Sequence, residues 1–125
     1  MKKILLVEDD PLLIDVYTTK LKEAGFEIIL VEDGRSVKEV FEGTKPDLVL
    51  LDIVLPHRDG WEVLGELKKE YGDKVKIVVL SNLGQKEEVE KGLKLGAIRY
   101  LIKAHYTPSE VVEQIQEVLA ADRAS

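Results

Sequence analysis

Five polar side chains stand at the ends of short aliphatic runs, and their types suit them to one another. The longest run, residues 48–55, is a stretch of large aliphatic residues interrupted by one carboxylate, Asp52. Bounded by Pro46 and Pro56, it reads as a strand buried on both faces, with Asp52 near its carboxyl end. A buried, unpaired carboxylate costs roughly several kcal/mol, so Asp52 needs a partner or a place at the rim of the sheet. The plainer alternative is an Asp that caps the following turn. Glu8 and Asp9 follow residues 4–7, Ser81 follows residues 75–80, and Lys103 closes residues 99–103. If the strands run parallel, all five residues reach one edge, the place where open α/β sheets bind ligands. Three crowded carboxylates repel one another unless a cation sits among them. A hard divalent cation that takes oxygen ligands and keeps some waters relieves this, and Mg²⁺ fits best. The Lys103 ammonium is a point charge suited to a phosphoryl oxygen, and the Ser81 hydroxyl adds a donor. A carboxylate nucleophile, a metal and positive groups aimed at developing charge are the equipment of phosphoryl transfer.

The elements that must position these residues are legible in order. Residues 4–7 form a short strand. Asp10 before Pro11 makes an N-cap with proline at the first helical position, and Leu13, Val16, Tyr17, Leu21 and Ala24 give that helix one apolar face. Gly25 ends it. Residues 26–31 are a second strand, Asp33-Gly34 turns the chain, and Val37, Val40 and Phe41 mark a short helix ending near Gly43. After the central strand, Asp59 with Glu62 three residues on predicts a capping box, and Val63, Leu64 and Leu67 carry the helix to Tyr71-Gly72. Residues 75–80 are the fourth strand. A fourth helix over about 85–95 has a thin apolar stripe, Val89 and Leu93, is weakened by Gly92 and stops at Gly96. Residues 99–103 are a fifth strand. Thr107-Pro108-Ser109-Glu110 is a strong helix start, continued by Val111, Ile115, Val118 and Leu119, with residues 120–125 expected to fray. Strands alternating with helices imply a parallel sheet covered on both faces with right-handed crossovers, a doubly wound α/β domain of flavodoxin type.

Composition narrows the function classes. A chain of 125 residues fits one domain, taken as residues 1–125. With 45% hydrophobic and 34% charged residues it is globular rather than disordered. Eighteen Lys and Arg against 24 Asp and Glu leave a net charge of −6, and no basic stripe is present, so nucleic-acid binding is disfavoured. The absence of Cys excludes disulfides, thiolate metal sites and thiol catalysis. No signal-peptide core and no membrane-length apolar stretch is seen, and a cytoplasmic location is expected.

The motifs Leu6-Val7-Glu8-Asp9-Asp10-Pro11, then Asp52-Ile53-Val54-Leu55-Pro56 with Asp59-Gly60, then Leu80-Ser81, Gly96-Ala97 and Tyr100-Leu101-Ile102-Lys103 occur in order, at strand ends and near them. Singly each is weak; together the chain resembles the receiver domain of bacterial two-component response regulators over essentially its whole length. The resemblance implies a five-stranded parallel sheet in the order 2-1-3-4-5 with five helices. It implies that Asp52 accepts a phosphoryl group from a phosphohistidine on a sensor histidine kinase or histidine phosphotransfer protein. Asp9 would hold Mg²⁺ directly and Glu8 through water, with Asp52 and the Val54 backbone carbonyl as further ligands. Lys103 would bond to the phosphoryl group, Ser81 would swing toward it, and Tyr100 would turn inward, remodelling the face of the fourth helix, fifth strand and last helix for an unidentified output protein. The domain would then be a signalling module rather than an enzyme, a monomer or a phosphorylation-dependent homodimer.

This chain departs from the family pattern in places. Ala104 stands where the family usually has a proline joined by a cis bond. A non-proline cis bond costs roughly 3 kcal/mol, so a trans Lys103–Ala104 bond, with a loop on a different course, is the expectation. Asn82, where a small residue is usual, is expected to narrow access to Asp52. Val54 and Leu83 flank the expected phosphoryl position and offer nothing to orient a hydrolytic water, so slow self-dephosphorylation is expected. His57 and His105 read most simply as solvated loop residues, His57 being the nearer to the site. Trp61 reads as half-packed against the sheet, Tyr100 apart from the resemblance as an ordinary half-buried strand residue, and Lys86-Glu87-Glu88 as a solvated helix face. Three other readings compete: a phosphorelay intermediate that passes its phosphate to another histidine, a flavodoxin-like cofactor binder, and a hydrolase that reuses the Asp nucleophile. Glu8-Asp9-Asp10 after the first strand would repel the anion the cofactor binder needs, and the hydrolase lacks a general base.

Overall fold

Side chains along the inner strands point alternately into two buried layers, which is why their sequences are continuous aliphatic runs rather than alternating ones. Leu5, Val7, Val49, Leu51, Ile77 and Val79 face one way; Ile4, Leu6, Leu48, Leu50, Val78 and Leu80 face the other. The computed structural model describes residues 1–124, with side chains through residue 121. Its strands are β1 (Lys3–Val7), β2 (Glu27–Val31), β3 (Leu48–Leu51), β4 (Ile77–Ser81) and β5 (Arg99–Ile102). They form one parallel sheet in the order β2-β1-β3-β4-β5, as expected. The helices are α1 (Pro11–Glu23), α2 (Val37–Thr44), α3 (Gly60–Tyr71), α4 (Lys86–Lys94) and α5 (Pro108–Ala124).

One layer is built by α1 and α5, which bring Tyr17, Leu21, Val111, Ile115 and Val118 onto the sheet. The other is built by α2 and α3 with Val37, Phe41, Val63, Leu64 and Leu67. Helix starts follow their capping chemistry. Asp10 Oδ1 accepts from the Leu12 and Leu13 amides. At α5 the box is reciprocal: Glu110 N–H donates to Thr107 Oγ1, and Thr107 N–H donates to Glu110. At α3 the bond found is the one from the Glu62 amide to Asp59, while the Glu62 carboxylate takes Arg58.

Several boundaries differ from the sequence reading. Strand β3 stops at Leu51, so Asp52 is the first residue beyond it and Val54 is 59% exposed rather than part of a buried strand. Lys103 opens a 3-10 turn through His105 instead of closing β5. Leu93 is 46% exposed, because α4 meets the sheet through Gly92, so the apolar stripe expected there shrinks to half-buried Val89. The backbone of α5 is helical through Ala124; of residues 120–125, on which the expected fraying falls, residue 125 and the side chains of residues 122–124 lie outside those described.

Candidate functional site

Strand register brings the acidic residues together before any side chain is considered. Val7 and Leu51 are partners in the β1–β3 ladder, and the Asp52 amide donates to Val7 O at 3.0 Å. The residues that follow each strand, Glu8 and Asp52, are therefore neighbours at the rim. One oxygen from each of Glu8, Asp9 and Asp52 lies within 4.8 Å of the others. Glu8 and Asp52 are buried, at 2% and 6% exposure, while Asp9 is open to solvent. The three line one depression with Val54, Asn82 and Lys103.

A buried carboxylate pair of this kind requires a counter-charge, and Lys103 supplies it. Its Nζ stands 2.7 Å from Glu8 Oε1 and 3.0 Å from Asp52 Oδ2. Burial alone would lower the Lys103 pKa, but the hydrogen bond to Glu8 and the charges of Asp52 and Glu8 outweigh it, and the pKa is raised. The group stays an ammonium. The Asp9 and Asp10 amides donate to Glu8 Oε2, and the Val54 amide donates to Asp52 Oδ1 at 3.3 Å. No peptide bond is cis among the described residues, so Lys103–Ala104 is trans, as expected. The loop nevertheless aims Lys103 at Asp52.

Ser81, the last residue of β4, is fully buried, and its Oγ accepts from the Leu83 amide at 3.2 Å. Tyr100 is half-buried, and its hydroxyl donates to the Leu83 carbonyl at 2.6 Å. Burial first, then the charge of Glu88, pushes the Tyr100 phenol pKa up, keeping it a donor. Both side chains therefore hold the main chain of one residue. The Tyr100 ring packs inward, stacked near Trp61 with centroids 6.3 Å apart, and the Lys91 ammonium stands 4.4 Å from the centre of the Trp61 ring. A Cβ on Gly92 would come within 2.5 Å of the Tyr100 ring, so the absence of a side chain there creates the seat for the ring.

The structure thus brings together Glu8, Asp9, Asp52 and Lys103, places Val54 and Asn82 at their edge, and has Ser81 and Tyr100 both bonded to Leu83. Gly92 and Lys91 were missed by sequence reasoning. The one available signal was a glycine inside an otherwise helical pattern. His57, read as solvated, has a partner: its Nδ1 lies 2.7 Å from Asp33 Oδ2. His105 is exposed. The donor set is all oxygen and acidic, open to solvent on the Asp9 side, and matches what a hard divalent cation takes.

Comparison with known proteins agrees with this geometry. Residues 4–116 match the family described as the response regulator receiver domain. The chain is 37% identical over 121 residues to the chemotaxis protein CheY of Halobacterium salinarum, covering 96% of this chain and 98% of that one. It is 35% identical over 118 residues to a probable transcriptional regulator, ycf27, of Cyanophora paradoxa, covering 94% of this chain and 48% of the relative. The chain thus spans about half the length of that relative and of the similar ycf27 regulators. The crystal structure of a CheY-like receiver domain protein from Methanospirillum hungatei superposes with a TM-score of 0.90 at 27% identity, over 99% of this chain and 98% of that one. No helix among the described residues is long and apolar enough to cross a membrane. With its strand order, its acidic rim and this family match in agreement, the chain belongs to the response regulator receiver domains of two-component systems.

Proposed function

We propose that Asp52 accepts a phosphoryl group from a phosphohistidine on a partner histidine kinase or phosphotransfer protein. A carboxylate oxygen of Asp52 attacks phosphorus, the O–P bond forms as the N–P bond breaks, and the electron pair leaves on the imidazole nitrogen of the donor. The observation that carries this reading is the Lys103 ammonium between Glu8 and Asp52 beside an open acidic rim. Lys103 holds Asp52 in place and stands ready to bond an incoming phosphoryl oxygen. Glu8, Asp9 and Asp52 with the Val54 carbonyl would hold Mg²⁺, which offsets the negative charge of the transferring group. Ser81, now bonded to Leu83, would turn to the phosphoryl oxygens, and Tyr100 would respond, altering the face of α4, β5 and α5 for an output partner. The domain assists its own modification but does not turn over as an enzyme.

The test is an intact-mass measurement after incubation with Mg²⁺ and a phosphorylated kinase or small phosphodonor, beside Asp52→Asn. A gain of one phosphate that requires both Mg²⁺ and Asp52 is expected; a gain that persists in Asp52→Asn refutes the assignment. Exposed Val54 and half-buried Leu83 offer no group to orient a water attacking the phosphoryl group, so the label is expected to outlast minutes without a partner, and decay within seconds contradicts this.

A further inference from the structure

The loop that carries Val54 is held from outside the site. After Asp52 the chain turns sharply at His57, whose φ is +66°, in the left-handed region that β-carbon-bearing residues rarely adopt. The Arg58 amide donates to Pro56 O at 2.7 Å, an i to i+2 bond. A three-residue turn with positive φ at its centre is the rare, strained form of γ-turn, and it persists only when its surroundings hold it. Two contacts with the loop that follows β2 do so. His57 Nδ1 meets Asp33 Oδ2 at 2.7 Å. Asp33 is itself fixed: its Oδ1 accepts the Arg35 amide at 2.8 Å, and its Oδ2 takes Arg35 Nη2 at 2.9 Å. Hydrogen bonds from Arg35 hold the Asp33 carboxyl well below the usual range, so it is ionised and a strong acceptor. Beside it the two loops touch main chain to main chain, since a Cβ on Gly34 would fall 2.2 Å from Arg58 O.

We propose that Asp33 and His57 are positioning residues: a clasp that fixes the loop between β3 and α3 so that the Val54 carbonyl is set for a divalent cation. The proposal rests on the metal-site reading above. Neither residue lines the depression that holds Glu8, Asp9 and Asp52. They act through the turn at residues 56–58, which leads back to Val54, and the Val54 amide already bonds Asp52. The clasp joins the loops of two strands, β2 and β3, that both pair with β1, the strand that leads to Glu8 and Asp9. The end of β2 is in turn tied to the first ligand loop, where the Glu8 amide donates to Val31 O at 3.1 Å.

The test is Mg²⁺ affinity by calorimetry on the whole chain, with thermal melting in the absence of metal as the check on folding. His57→Gly keeps the left-handed backbone and removes the ring, so it isolates the clasp from turn strain. Asp33→Ala removes the acceptor, and Asp33→Asn keeps an amide oxygen for Nδ1–H. His57→Gly and Asp33→Ala are each expected to weaken Mg²⁺ binding about tenfold, the low end for outer partners of metal ligands, while Asp33→Asn restores most of it. Rescue by Asn is what a merely structural loss would not show. Wild-type affinity in His57→Gly and Asp33→Ala overturns the clasp and leaves the metal site standing. No Mg²⁺ binding by the wild-type chain, or none that Glu8 and Asp9 substitutions affect, overturns the metal-site reading and the clasp with it.

Discussion

Helices α4 and α5 flank the same strand, β5, and are fastened in opposite ways. Helix α5 buries Val111, Val112, Ile115, Val118 and Leu119, and Arg99 of β5 bonds Gln114 and Glu117 on it. Helix α4 buries a glycine and leaves Leu93 exposed, with Leu95 and Ile98 exposed just beyond it. Its hold on the body is an aromatic seat: Gly92 on Tyr100, Tyr100 near Trp61, and Lys91 over Trp61. Apolar burial is non-directional and additive, so α5 is fixed by sum. A stacked ring with a cation above it is worth only about 1 kcal/mol, and it is lost at once when one ring turns. The difference teaches where this domain can change shape at small cost: at α4, beside the site, and not at α5.

The largest expected effect tests the fixed side. Ile115→Ala, at a fully buried position, should destabilise the fold by about 2–5 kcal/mol in urea unfolding, against at most about 1 kcal/mol for Val89→Ala on α4. Equal losses would erase the contrast. Next, Gly92→Ala places a methyl group where the Tyr100 ring lies. It should cost about 1–3 kcal/mol by overpacking, less whatever helix propensity returns, and should drive Tyr100 outward. The readout is loss of the Tyr100 and Trp61 signal in near-ultraviolet circular dichroism with far-ultraviolet helicity unchanged. An unchanged near-ultraviolet spectrum would show that the seat is looser than described. The smallest effect concerns the start of α5. The backbone and hydroxyl bonds from Thr107 lower the Glu110 pKa. A depressed carboxylate contributes stability above its unfolded pKa and loses it as pH falls through the folded value. The Thr107 amide resonance should therefore shift below about pH 4.5, the ordinary range for Glu. Glu110→Gln should abolish that shift, and its survival in the variant would assign it elsewhere.

Much of this was legible in the sequence. Strand runs, caps and the order of rim residues are local signals, so the parallel sheet and the meeting of Glu8, Asp9, Asp52 and Lys103 followed from them. Proline's absence at Ala104 did not misdirect Lys103, because two buried carboxylates fix the ammonium whatever the course of the loop behind it. What could not be read depends on pairs distant in sequence. Leu93 has helical spacing from Val89, yet the face meeting the sheet is set by the bulk of Tyr100 against Gly92. His57 as a solvated histidine was a fair reading of an isolated residue; only the approach of the loop at Asp33 gives it a partner. Val54 sits in an apolar run, but β3 ends where Asp52 must reach the rim, and the chain turns outward.

Ser81 and Tyr100 both hold Leu83, one by its amide and the other by its carbonyl. Those two groups belong to adjacent peptide planes that meet at one Cα, and each plane turns about its own bond there. Releasing the amide from Ser81 therefore leaves the carbonyl able to keep Tyr100, and the reverse holds as well. Residue 83 is thus a double anchor, held at two points of its main chain while its side chain packs against the core. Proline there would cut only the first hold, because it lacks the N–H and keeps the carbonyl.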